Sequence, residues 1–312
     1  MESAAPAKSR VTDMTEGKPS AVIVRFAVPL ILSAVCQQLY NVIDSVVVGR
    51  LIGVSAFAAL GATSFCYWLI LSTIFGFTQG FGTRFGQLFG AKDFPLLRRA
   101  IGNSVFWSLL LGVLITSAGV FSIRPLLTLI HTPPDIMQDA CTYLYIVIGA
   151  GMLPAFAYNT ASAVLRAIGD SKTPLYAVIV GSVVNVILDL AFVAILHWDV
   201  AGVAIATVIS MCCSLVFCLF KLRNVPVARI TKAELRLDWP VSASMLRLGY
   251  PITLRNIAIS MGSLILQYVI NGYGTLFVAG TSAAMKYFGM MNLVGYSLDG
   301  AMAVYVSQNY GA

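Results

Sequence analysis

Two aspartates in apolar surroundings are the residues best placed to do chemistry. Asp44 closes the run Gln37-Gln-Leu-Tyr-Asn-Val-Ile-Asp44, and Asp189 closes Asn185-Val-Ile-Leu-Asp189. On a helix, side chains three and four positions apart lie on one face. Gln37, Tyr40, Asn41 and Asp44 therefore form a polar face among Val, Ile and Leu, and Asn185 and Asp189 form another. Two carboxylates, an amide carbonyl and a hydroxyl make a cage for a hard cation, which takes oxygen ligands. A carboxyl removed from water can instead carry a proton. The competing reading is structural, with both aspartates merely hydrogen-bonding neighbouring helices.

What must position them follows from composition. Of 312 residues, 58% are hydrophobic and 11% charged, against about 45–50% apolar and 25% charged in soluble domains. That excludes an ordinary cytosolic enzyme, a disordered chain and a secreted disulfide scaffold. A membrane-crossing helix needs about 20 apolar residues. Eight windows qualify, at 22–48, 56–82, 100–122, 140–164, 174–196, 201–221, 248–270 and 277–306. The last is too long for one straight span and is expected to begin with an irregular or interfacial turn. Short alternating segments of a barrel are absent. The expected fold is an all-α polytopic membrane protein. In such a chain an ionisable group at mid-membrane costs about 2.5–3.5 kcal/mol on the insertion scale, which favours function over structure for Asp44 and Asp189.

The net charge of +7 does not point to nucleic acid, because long apolar stretches keep the bases from forming one face. With the N-terminus inside, sixteen Lys and Arg residues fall on the inner side and only Arg50 and Arg124 outside. This bias predicts a multi-pass protein of the plasma (cytoplasmic) membrane with both termini in the cytoplasm. Residues 1–20 lack an apolar signal core and are read as a cytoplasmic tail. The six cysteines sit in apolar segments, without a C-x-x-C pair or accompanying His, and are read as structural. His131 and His197 are read as surface residues, and aromatic residues near span ends as interfacial anchors.

The first two spans recur. Pro29 matches Pro251, Gly53 matches Gly274, and Gln87-Leu-Phe-Gly-Ala91 matches Gln308-Asn-Tyr-Gly-Ala312, at an offset of 221–222 residues. Both copies enter from the inside, so this is a parallel repeat of six-span units. The expected organisation is a tail (1–20), an N-lobe of six spans (21–222), a linker (223–246) and a partial C-lobe of two spans (247–312). Eight of an expected twelve spans are present, so the chain is expected to be a C-terminally truncated fragment. Pro29 weakens the first span about four turns before Asp44 and is either a hinge or a tolerated kink. Arg255 and Asp299, at similar depth in the last two spans, are expected to pair, and Lys286 is left without a partner.

These residues carry a resemblance over residues 20–312. Pro29 with Tyr40-Asn-Val-Ile-Asp44, Gly76-Phe with Gln87-Leu-Phe-Gly-Ala-Lys-Asp93, Leu165-Arg-Ala-Ile-Gly-Asp170, Asn185-Val-Ile-Leu-Asp189 and Gly202-Val-Ala-Ile-Ala-Thr207 occur in this order. The chain resembles the multidrug and toxic compound extrusion (MATE) family, and within it the DinF-like prokaryotic type. The resemblance implies two six-helix lobes around a central cavity with alternating access. It maps a cation or proton site, for Na+ or H+, onto Asp44, Asn185, Asp189 and Thr207, and the bending proline onto Pro29. Gln37, Tyr40, Asn41 and Asn159 are the substrate-cavity candidates. The NorM-type branch has a glutamate soon after the seventh-span proline, whereas here Pro251 is followed by Ile-Thr-Leu-Arg-Asn-Ile-Ala-Ile-Ser.

The expected function is secondary active multidrug efflux by Na+ or H+ antiport. The expected partners are an amphipathic or cationic small molecule and the lipid bilayer, with no cofactor and no nucleic acid. A monomer is expected when complete, and no enzymatic activity. One alternative is a flippase for lipid-linked oligosaccharides, although the first six spans lack the mid-membrane bases a phosphate cavity uses. An intramembrane aspartyl protease fits poorly, since its Gly-x-Gly-Asp pattern does not occur around Asp44 or Asp189. An inactive truncated product is the remaining alternative.

Overall fold

Inside a bilayer no water bonds the backbone, so a chain this apolar must satisfy its N–H and C=O groups within helices. The computed structural model describes residues 13–231, 233–271 and 275–312, without the side chains of Val54 and of several residues in the last two helices. Lys286 and Gly274 thus lie outside the described groups, as does most of the N-terminal tail. The helices are α1 (Pro19–Val47), α2 (Val54–Gly90), α3 (Phe94–Leu129), α4 (Pro134–Ala167), α5 (Lys172–Asp189), α6 (Asp199–Leu222), α7 (Trp239–Asn271) and α8 (Thr275–Gly311). No strand occurs among the described residues. The helices follow the apolar windows, α5 ending short of its window where the chain turns to π geometry, and α1 to α6 are long and apolar enough to cross a membrane.

Polar turns set the helix ends. The Asp93 carboxylate accepts from the Leu96 N–H at 3.1 Å and caps α3. Asp170 caps α5, accepting from the Thr173 N–H at 2.9 Å and the Thr173 hydroxyl at 2.6 Å. Gly169 before it takes φ 86°, a left-handed value that L side chains avoid.

Two expectations need correction. α8 is one continuous helix of 37 residues from Thr275, not a turn followed by a span. It holds several glycines but no proline, and glycine keeps the N–H that the helical ladder needs. No ion pair joins Arg255 to Asp299 among the described residues, and both are exposed. α2 packs against both α7 and α8, which barely touch each other, so equal depth does not bring the two charges together.

Small residues let membrane helices approach closely. On α2, Gly76-Phe-Thr-Gln-Gly80 faces α7, and a Cβ at Gly80 would overlap the Gly249 backbone while one at Gly76 would overlap Thr253. The seam continues with Ser72 and Ser260 at 3.4 Å and with the Asn256 amide donating to the Ser72 carbonyl at 3.3 Å. Ser108 and Thr160 join α3 to α4 at 2.9 Å, and the Ser214 hydroxyl donates to the Ala177 carbonyl at 3.0 Å between α6 and α5. Phe81 and Phe85 of α2 with Leu144, Ile148 and Phe156 of α4 fill the centre, all fully buried.

At the end where the inner-side bases gather, the chain is tied together. Gln308, with no exposed surface, accepts from the Met14 N–H at 2.8 Å and donates to the Ala167 carbonyl at 2.7 Å. α2 and α8, both 37 residues long and 221 positions apart, cross here. A Cβ at Gly90 would overlap the Gln308 carbonyl, and one at Gly311 would overlap the Gln87 carbonyl. Asn103 of α3 holds the linker: its Oδ1 accepts from the Asp238 N–H and the Ser242 hydroxyl, both at 2.8 Å, and its amide donates to the Arg236 carbonyl at 3.3 Å.

Asn103→Ala removes these bonds and strands buried groups, which costs about 1–3 kcal/mol. The expected outcome is a lower denaturant midpoint in detergent micelles with unchanged helicity. Gly80→Leu overpacks the α2–α7 seam and is expected to destabilise by about 1–3 kcal/mol, whereas Gly61→Leu, where a side chain meets nothing within 4 Å, leaves the midpoint unchanged.

Candidate cation and proton site

α1 and α5 lie side by side and bring the two aspartates to one level. Asp44 stands three residues before the end of α1 and Asp189 is the last residue of α5. Each helix then widens into a π turn, Val48–Ile52 after α1 and Leu190–Ile195 after α5. The Gly53 N–H donates to the Val48 carbonyl at 3.1 Å and the Leu196 N–H to the Ala191 carbonyl at 3.0 Å, both spanning five residues. Such turns are rare and recur at functional sites. The first is released by Gly53, whose φ of 130° suits glycine alone.

Behind the π turns lies an apolar cap. Val48, Ala56, Val193, Val200 and Val203 are buried together, with Ile52, Leu60 and Tyr143 around them. Val48, Val193 and Val203 each sit one turn from Asp44, Asp189 and Thr207, on the side away from the basic end. The cap closes the pocket in that direction.

Within the pocket Asn185 and Asp189 have no exposed surface and Thr207 is 5% exposed. The Asp44 and Asp189 side chains are neighbours in the pocket, and Tyr40 and Tyr143 neighbour Thr207. The Thr207 hydroxyl donates to the Val203 carbonyl at 3.0 Å, which leaves its oxygen to accept. One oxygen of Asp44, both of Asp189 and both polar atoms of the Asn185 amide are buried without a partner among the described residues. Buried polar atoms are nearly always paired, so an unpaired group of five is exceptional. The donors are all oxygens apart from the amide nitrogen, a set for a proton or a hard cation.

Asp44, Asn185, Asp189, Thr207 and Tyr40 thus come together. Gln37 and Asn41 do not: both are exposed on α1, while Tyr40 and Asp44 are half-buried. A turn of about 100° per residue spreads the four over a stripe about 100° wide, and the edge of the helix interface runs through it. Asn159 is buried on α4, with its amide donating to the Ala155 carbonyl of its own helix at 2.8 Å. α1 stays helical across Pro29, whose carbonyl accepts from the Ser33 hydroxyl at 2.9 Å. Tyr143 of α4 belongs to the pocket, not to an interfacial belt. Its sequence neighbours carry no polar pattern that would have marked it, and the π turns left no periodic signal beyond Gly49 and Gly53.

The MatE family model matches residues 29–191 and 251–312. The probable multidrug resistance protein YpnP of Bacillus subtilis is 31% identical over 304 residues, covering 96% of this chain and 67% of the relative. YoeA of the same organism, also a probable multidrug resistance protein, is 29% identical over 92% of this chain and 64% of its own length. An outward-facing multidrug resistance MATE family transporter superposes with a TM-score of 0.89 over 99% of this chain and 68% of that one, at 24% identity. The chain spans about two thirds of the length of the curated relatives it matches. On the family match and the YpnP relation, this chain belongs to the multidrug and toxic compound extrusion (MATE) family of membrane transporters.

Proposed function

We propose that the chain carries the coupling site of a secondary multidrug efflux transporter, in which Na+ or H+ entering at Asp44 and Asp189 is exchanged for an amphipathic, often cationic, compound. The observation that carries this reading is the neighbouring pair of carboxyls, Asp189 without exposed surface and Asp44 half-buried, whose unpaired oxygens lie beside the unpaired Asn185 amide. Two carboxylates out of water repel, and a bound cation or a shared proton relieves that repulsion and draws α1 toward α5. The π turns behind both aspartates give the helix ends room to re-form. Gln37 and Asn41, on the open side of the same stretch of α1, are then the groups through which substrate senses the change, with Pro29 as the bending point below them. Antiport requires such a difference in how each ligand meets the two states.

In this reading the end holding Met14, Gln308 and the linker faces the cytoplasm of a plasma-membrane protein, which the bias of basic residues supports. In the proposed organisation residues 21–222 form one lobe and residues 247–312 open the second, across the linker 223–246. No catalytic step is involved, and the coupling ion is cargo and not a cofactor.

Asp44→Asn and Asp189→Asn are expected to insert normally yet to lose coupled export and the Na+- or pH-dependent change in tryptophan fluorescence of the purified chain. Full drug resistance in both variants would overturn the mechanism. Asn185→Val separates a ligand role from a structural one. Its amide makes no bond among the described residues, so removing it leaves the unfolding midpoint in Na+-free buffer unchanged or raised, while the ion-dependent fluorescence change is lost. A clear drop in the midpoint would mean that the amide holds helices together instead.

A further inference from the structure

We propose that the linker between α6 and α7, strapped across the start of α3, is a seat for the headgroups of anionic phospholipids. The strap is held rigidly. Besides the three bonds from Asn103, the Glu234 carbonyl lies so close to Gly102 that a Cβ there would overlap it. Thr231 and Glu234 close a turn in which the Glu234 carboxylate accepts from the Thr231 N–H at 2.7 Å and from its hydroxyl. The Thr231 hydroxyl first, then its N–H and Arg98, hold that carboxyl below the usual glutamate value, so it stays ionised.

From this fixed backbone three apolar side chains project outward: Leu235, Leu237 and Trp239 are 47%, 51% and 62% exposed. Among the described residues, Arg229 and Arg236 of the strap and Arg98 and Arg99 of α3 outnumber the strap's Glu234 and Asp238. The two ion pairs are long, 3.8 Å for Arg98–Glu234 and 3.9 Å for Arg99–Asp238, and the Arg99 side chain remains 61% exposed. The guanidinium donors therefore keep most of their capacity for a phosphate. Apolar side chains flanked by excess positive charge match the boundary of an anionic leaflet, where both terms favour binding. Large side chains are exposed on both helices that the strap joins: Phe220 near the end of α6 and Tyr250 in α7 are each 63% exposed.

The test places a bimane fluorophore on Leu237→Cys in a background whose native cysteines are alanine, reconstituted into phosphatidylcholine with or without phosphatidylglycerol. The expected result is severalfold stronger quenching by a headgroup-level nitroxide lipid when phosphatidylglycerol is present, and loss of that increase in Arg99→Gln/Arg236→Gln. Quenching by aqueous iodide in both bilayers would put the strap in water and overturn the proposal. Shielding from both quenchers would mean that protein covers it, and lipid quenching indifferent to phosphatidylglycerol would mean burial without headgroup recognition. Either result would also overturn it.

Discussion

Two neighbouring carboxyl groups, Asp189 fully buried and Asp44 half-buried, are the interaction on which the remaining architecture turns. Among the described residues neither carboxyl forms an ion pair with a base. Such a pair is tolerable only where the polypeptide supplies polar atoms and excludes competing water. Asn185, Thr207, Tyr40 and Tyr143 provide the first, and the valine cap behind the π turns provides the second. The helix ends that carry the aspartates are also the places where the regular hydrogen-bond ladder is relaxed. Charge and backbone irregularity coincide twice, once in α1 and once in α5.

The remainder of the bundle is built to hold that pocket without help from the hydrophobic effect, because lipid is as apolar as the side chains facing it. Association then rests on close approach and on hydrogen bonds between helices. The α2–α7 seam, the Ser108–Thr160 contact and the Gln308 bridge from Met14 to Ala167 are of this kind. Large apolar side chains instead fill the space between α2 and α4, where Phe81, Phe85 and Phe156 meet.

Much of this was legible in the sequence, for physical reasons. Crossing a bilayer forces long apolar runs, so all eight helices could be placed, and burying an acid is costly enough that Asp44 and Asp189 stood out. The 221-residue offset was readable because helix-packing glycines cannot drift without clashing. What stayed hidden depends on side-chain direction. Tyr143 looks like any aromatic of an apolar helix until α1 and α5 are seen to converge on it. The division between Gln37 with Asn41 and Tyr40 with Asp44 turns on tens of degrees of helix rotation, which spacing alone does not resolve. Depth matched Arg255 to Asp299, but the intervening α2 separates them.

The crossing of α2 and α8 bears on which changes each helix tolerates. Gly90 lies against Gln308 and Gly311 against Gln87, and each pair is the other shifted by 221 residues. A side chain at either glycine would meet the backbone of the other helix, so one prohibition holds at both places. The glycines are locked by the opposite backbone, while the glutamine side chains, which that contact does not constrain, are free to differ. They do differ: Gln308 bridges the N-terminal segment to α4, whereas Gln87, among the described residues, accepts from Arg84 of its own helix at 3.2 Å.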